Sequence, residues 1–179
     1  MIMFIFYTHS RFSAHFMFDT IDNDVFPFLP PNSQHRPSNL WFIETVTEVL
    51  ELGGDLVDPK AAHTLMNLIA DGDEDDEASG EAREDAVENF IELLEKPSLP
   101  NLLLHVIAWV LGEYGTSSSS LSIDGVAEKV CHIFERPNVD ISTRRVAISA
   151  LAKLTARNQR PIPVVATLVC VLREEFRVC

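Results

Sequence analysis

From residue 38 onward the apolar residues recur at three- and four-residue intervals, the pattern of amphipathic helices. Leu40, Ile43, Val46, Val49 and Leu50 make a first stripe. Ser38 or Asn39 is suited to cap its start, and Gly53–Gly54 to end it, because glycine accepts the left-handed conformation past a helix C-terminus. Asp58–Pro59 then reads as cap and first-turn proline of a second helix, carrying Leu65, Leu68 and Ile69. After an acidic loop from Asp71 to Gly80, a third helix is expected over about 82–95, with Ala86, Val87, Phe90, Ile91, Leu93 and Leu94 inward. Pro97 stops it. Pro100 opens a fourth, through Leu102, Leu103, Val106, Ile107, Val110 and Leu111, which is apolar nearly all round and so predicted to be buried on most sides. Thr116–Ser120 reads as a flexible connector. Ser122 caps a fifth helix (Val126, Val130, Ile133, Phe134), Ser142 a sixth (Val146, Ile148, Leu151, Leu154), and a seventh follows Pro163 (Val165, Leu168, Val169, Leu172).

No segment in this region sustains two-residue alternation, so strands are not expected. Taken in pairs, the helices start near residues 39, 82 and 123. That interval matches the roughly 40–47-residue period of HEAT and armadillo arrays, in which stacked pairs share one continuous core. The predicted fold is all-α, a HEAT/armadillo-like helical-repeat solenoid. A closed helical bundle is the rival architecture, disfavoured by the regular spacing.

Residues 1–37 break the pattern. Seven of the eleven phenylalanines fall here, followed by Pro27, Pro30, Pro31 and Pro37, and no helical period persists. The expected organisation is an irregular leader over 1–37 and a helical-repeat domain over 38–179. An aromatic membrane anchor is disfavoured because the polar face offers only Arg11 before Arg36. The apolar run Met1–Tyr7 is far too short to span a bilayer, and no basic region precedes it as in a secretion signal.

The chain of 179 residues has 27 acidic and 14 basic side chains, a formal charge of −13 and a pI near 4.7. The charge is local. Between Asp71 and Lys96 twelve acids face two bases, a net −10, whereas residues 136–179 carry eight bases and three acids. An acidic chain repels phosphate, so nucleic acid is not an expected partner. Cys131, Cys170 and Cys179 form no CxxC pair and suggest no disulfide framework.

The acidic loop fails as a calcium loop. Started at Asp71, it has Asp76 where glycine is demanded and Ala82 where the bidentate glutamate belongs. The six histidines form no HxxxH pair for zinc. His105, inside the apolar fourth helix, reads as a hydrogen-bonded core or interface residue. No nucleophile elbow, dinucleotide loop or phosphate loop occurs. No catalytic, cofactor or metal site and no small-molecule substrate is therefore expected. Arg144, Arg145, Lys153 and Arg157 could meet anionic headgroups or an acidic partner; a solvated face is the simpler reading. Ser117–Ser120 offers hydroxyls for phosphorylation but reads first as a linker.

Several runs resemble the large adaptin subunits of vesicle-coat adaptor complexes. They are Asn39-Leu-Trp-Phe-Ile-Glu-Thr45, Leu52-Gly-Gly-Asp55, Leu68-Ile-Ala-Asp-Gly72, Asp85-Ala-Val-Glu-Asn-Phe-Ile-Glu-Leu-Leu-Glu95, His105-Val-Ile-Ala-Trp-Val-Leu-Gly-Glu-Tyr114 and Ala150-Leu-Ala-Lys-Leu-Thr155. The last part of the fifth run is the most specific, since large adaptins carry Trp-x-x-Gly-Glu-Tyr. The wording is most similar to epsilon-type subunits of the fourth adaptor complex, with gamma and alpha adaptins as near alternatives. The resemblance covers roughly residues 38–157. It implies a solenoid trunk segment and a non-enzymatic role in intracellular protein transport. It also implies a second large, a medium and a small subunit as partners, and peripheral association with trans-Golgi or endosomal membranes. A general helical-repeat scaffold unrelated to coats is the alternative. The signature positions are Trp41, Gly53, Gly54, Trp109, Gly112, Glu113 and Tyr114. Trp41, Trp109 and Tyr114 are expected to anchor helix packing, and Glu113 to hold a neighbouring cation or helix end.

Overall fold

A computed structural model of the chain describes residues 39–71, 77–158 and 160–169. The leader over 1–37, Ser38, residues 72–76 of the acidic loop, Cys170, Leu172 and Cys179 lie outside those residues. Among the described residues every regular element is helical. The helices are α1 (Asn39–Gly53), α2 (Pro59–Ala70), α3 (Glu77–Leu93), α4 (Asn101–Tyr114), α5 (Ile123–Glu135) and α6 (Ile141–Asn158), followed by α7 over 163–169.

The boundaries follow local chemistry. Of the Gly53–Gly54 pair, Gly54 takes a left-handed φ of +53° and Gly53 stays right-handed as the last residue of α1. Asp58 Oδ1 accepts from the Lys60 amide at 2.9 Å and Pro59 fills the first turn of α2, as the sequence predicts. Ser122 Oγ accepts from the Gly125 amide at 3.3 Å and caps α5. Two starts differ from expectation. α3 begins at Glu77 rather than 82, so the end of the acidic loop is helical. Glu81 in the first turns complements the positive end of the helix dipole, and exposed Gly80 costs only about 1 kcal/mol. α6 begins at Ile141 because Asp140, not Ser142, is its cap. Its carboxylate accepts from the Thr143 amide at 2.6 Å, and hydrogen bonding from Thr143, its side chain foremost and its amide next, holds the Asp140 carboxyl below the ordinary carboxylate range.

The pairs stack as a solenoid. Within each pair α1 packs on α2, α3 on α4 and α5 on α6, while the second helices form a row in which α4 lies between α2 and α6. This row keeps the steadier period: its helices start at residues 59, 101 and 141. The core is one continuous cluster through Leu50, Leu65, Phe90, Leu103, Ile107, Leu111, Ile133 and Leu154. α4, in the middle, buries Leu103, Leu104, Val106, Ile107, Ala108, Val110 and Leu111, which explains its near-uniform hydrophobicity. Two stripe residues fall outside the core. Val49, 45% exposed, and Ile148, 49% exposed, lie on the solvent side of their helices. Val169 is exposed as well.

Candidate functional site

The residues that carry the sequence resemblance gather where α4 ends against α6. Gly112 faces Ala150 so closely that a Cβ on it would lie 2.7 Å from both the Cα and the Cβ of Ala150. No side chain fits, and that absence sets the α4–α6 spacing. One residue further, Glu113 holds two cations of α6. Lys153 Nζ pairs with Oε1, and Arg157 reaches Oε2 at 3.3 Å. The same Arg157 guanidinium donates to the Gly112 and Glu113 carbonyls, each at 2.6 Å, satisfying the open end of α4. The Tyr114 ring meets Trp109 edge-on at 6.1 Å and receives the Arg83 guanidinium 5.3 Å above it. Both rings are only partly buried against the core. Trp41, for which an anchoring role is expected, is 47% exposed on α1. Gly53 and Gly54 lie in the α1–α2 turn, away from this end of α4.

Arginine capping recurs between neighbouring helices. Arg83 of α3 donates to the Ile69 and Ala70 carbonyls that end α2, at 3.1 and 3.2 Å. Arg136, just after α5, donates to the Leu94 and Lys96 carbonyls beyond α3. Arg157 does the same for α4. Each guanidinium sits at the negative end of a helix dipole, and its planar fork suits two carbonyls at once. Of the four bases near α6, Arg144 and Arg145 are exposed, whereas Lys153 and Arg157, each partly exposed, are committed to Glu113 and the end of α4. This halves the basic face that the sequence suggests.

The serine connector is pinned rather than loose. Gly115–Ser117 forms a 3-10 turn. The Glu88 carboxylate on α3 then accepts from Ser118 Oγ at 2.8 Å, the Ser119 amide at 2.9 Å, and the Ser120 amide at 3.2 Å and hydroxyl at 2.5 Å. These bonds, that of the Ser120 hydroxyl foremost, lower the Glu88 carboxyl from 4.5 to about 2. A glycine-poor serine run has no sequence mark of such a partner thirty residues away.

A cavity of about 360 Å³ opens beside the N-terminal ends of α2, α4 and α6, lined by His63, Met66, Asn101, His105, Asp140 and Ser142 among others. Asn101 bridges α4 to the α5–α6 loop, accepting from the Asp140 amide at 3.0 Å and donating to the Asn138 carbonyl at 3.1 Å. Burial pushes the His105 imidazole below its usual value, Asp140 opposing and His63 reinforcing the shift. Cys131 is buried in α5, and its thiol is pushed up to about 11 by desolvation. Among the described residues no cluster of three His, Cys, Asp or Glu side chains could hold a metal ion, and no helix is long and apolar enough to cross a membrane.

A stack of helical pairs, with the end of one pair's second helix locked onto the next by a Gly-Glu-Tyr run, is a repeat-protein trunk segment. Its family follows from the sequence relatives. The chain is 44% identical over 125 residues to the AP-4 complex subunit epsilon of Arabidopsis thaliana, a stretch covering 69% of this chain and 13% of that protein. It is 30% identical over 126 residues to AP-4 complex subunit epsilon-1 of Homo sapiens, 69% of this chain and 11% of that one, and 30% identical over 124 residues to the Mus musculus protein of the same name. The matched stretch is an epsilon-type adaptin segment. No family model and no solved structure matches the chain.

Proposed function

We propose that the chain supplies a trunk segment to a large, epsilon-type subunit of an adaptor-protein coat complex, with a role in vesicle-mediated intracellular protein transport. It works through protein–protein contact and has no catalytic part. Its partners are the other subunits of the complex, a second large, a medium and a small one. Membrane association, at the trans-Golgi network or endosomes, is peripheral and runs through the complex. The observation that carries this reading is the 44% identity to an AP-4 epsilon subunit over 125 residues, 69% of this chain. The relatives disfavour a repeat scaffold unrelated to coats. Because the chain spans only 11–13% of these relatives, the role belongs to the segment in its longer context. Affinity purification of a full-length subunit containing it should recover medium and small adaptor subunits. Recovery of the intact subunit without any of them would refute the assignment.

A further inference from the structure

The small rotation from one helical pair to the next sets the curvature of a stacked array. Between α4 and α5 the connector is held from outside by one carboxylate. Glu88 of α3 accepts from the Ser119 and Ser120 amides and from the Ser118 and Ser120 hydroxyls. Ser118 Oγ in turn accepts from the Leu121 amide at 3.1 Å, and Leu121 packs against the core. The 3-10 turn just before rests on α3, α5 and α6. The clamp thus ties the first helix of one pair to the entry of the next.

One hydroxyl of the cluster is poorly used. Ser119 Oγ is exposed and lies 3.4 Å from Glu88 Oε1, at the outer limit of a hydrogen bond. It stays accessible while the clamp is shut. We infer that Ser119 is a phosphorylation site and that its phosphate opens the clamp. The donor is a nucleoside triphosphate held by a separate serine kinase. Ser119 Oγ bonds to the γ-phosphorus, the bond from that phosphorus to the β–γ bridging oxygen breaks, and the hydroxyl proton passes to the kinase's base. The ester carries a charge of about −1.5 to −2 near neutral pH and has no proton to donate to Glu88. It also faces an acidic stripe. Glu84 and Asp85 lie four and three residues before Glu88, and Glu92 four after, all on one side of α3. Attraction between Glu88 and the loop becomes repulsion, and the loop is expelled. The Gly112–Ala150 contact stays shut, so the α5–α6 pair gains freedom about it. The kinase is an acid-reading one: no Lys or Arg lies within residues 97–128 and no proline follows a serine of the run, whereas Glu113 and Asp124 flank it.

The test starts with the full chain, magnesium-ATP and an acid-directed serine kinase of the casein-kinase type. Fragmentation mass spectrometry should find phosphate on Ser119, and none there in Ser119→Ala. No incorporation, or phosphate confined to other residues, would overturn the inference. Hydrogen exchange of the Ser119–Leu121 amides is then compared in the phosphorylated and unmodified chains, each normalised to the matching unfolded peptide. Phosphorylation should speed exchange roughly tenfold or more, the effect of losing a charge-assisted hydrogen bond. In Glu88→Gln, where the clamp is already weakened and the repelling charge is gone, phosphorylation should change exchange little. Equal exchange in the phosphorylated and unmodified parent would overturn the inference, as would an equal acceleration in Glu88→Gln.

Discussion

Gly112 of α4 and Ala150 of α6 touch backbone to backbone: a methyl group on Gly112 would stand 2.7 Å from the Ala150 Cα. The pair lies 38 residues apart, about one repeat, and fixes how close the second helices of successive pairs can come. Everything at this end of α4 is registered by it. Glu113 meets Lys153 and Arg157 because α6 is this close.

Gly112→Ala should therefore destabilise the fold by about 1–3 kcal/mol, the usual cost of overpacking a tight core contact. Ala150→Gly in the same chain should recover part of the loss, since it removes one of the two clashing atoms and leaves the backbone Cα at 2.7 Å. Urea unfolding of the two single variants and the double variant measures the coupling. Strict additivity would show that the contact does not set the spacing.

Arg157→Lys should not be conservative. Lysine keeps the charge but cannot span the Gly112 and Glu113 carbonyls while reaching the Glu113 carboxylate. The site is partly exposed, so the expected loss is modest, about 1 kcal/mol. A denaturant midpoint equal to that of the parent would place the role in charge alone.

Glu88 makes stability depend on acid. Its folded carboxyl lies near 2 and its ordinary value is 4.5, so the clamp on Ser118–Ser120 is at full strength above about 4.5. It is lost as pH falls from there toward 2, because the unfolded chain takes up the proton first. Glu88→Gln should lower stability at neutral pH and narrow its difference from the parent below pH 4. Thermal melts across pH 2–7 measure this; parallel curves for both proteins would contradict it.

Phe90 and Trp109 should rank by burial rather than size. Phe90 is fully enclosed, and Phe90→Ala should cost about 3–5 kcal/mol. Trp109 is half-buried, so Trp109→Ala should cost less despite the larger ring. Equal losses in calorimetry would indicate that the indole is enclosed more tightly than its position beside Val146 and Lys153 implies.

Much of this was legible in residue order. Asp58–Pro59, Ser122, Pro97 and the stripe of α4 mark their elements because caps, breakers and helical periodicity are local. The misses were non-local or competitive. Ser142 looked like a cap, but Asp140, two residues earlier, is an equally good acceptor and reached the Thr143 amide first. The serine run read as a linker because nothing near it reveals Glu88. Arg157 reads as part of a solvated basic face, and nothing in the sequence singles out Arg83 or Arg136; the helix ends these three satisfy become neighbours only once the pairs stack. Gly112 was noted through the family resemblance, yet its reason, the backbone of Ala150, is visible only in three dimensions.

The account is tested most directly by exchange. Residues 39–158 of this chain would replace the matching stretch of the full-length Arabidopsis thaliana AP-4 epsilon subunit, with and without Gly112→Leu. The account predicts that the parental chimera co-purifies with medium and small adaptor subunits at the level of the unaltered protein, and that the Gly112→Leu chimera loses them. A parental chimera that is soluble and folded yet recovers no adaptor subunits would contradict it.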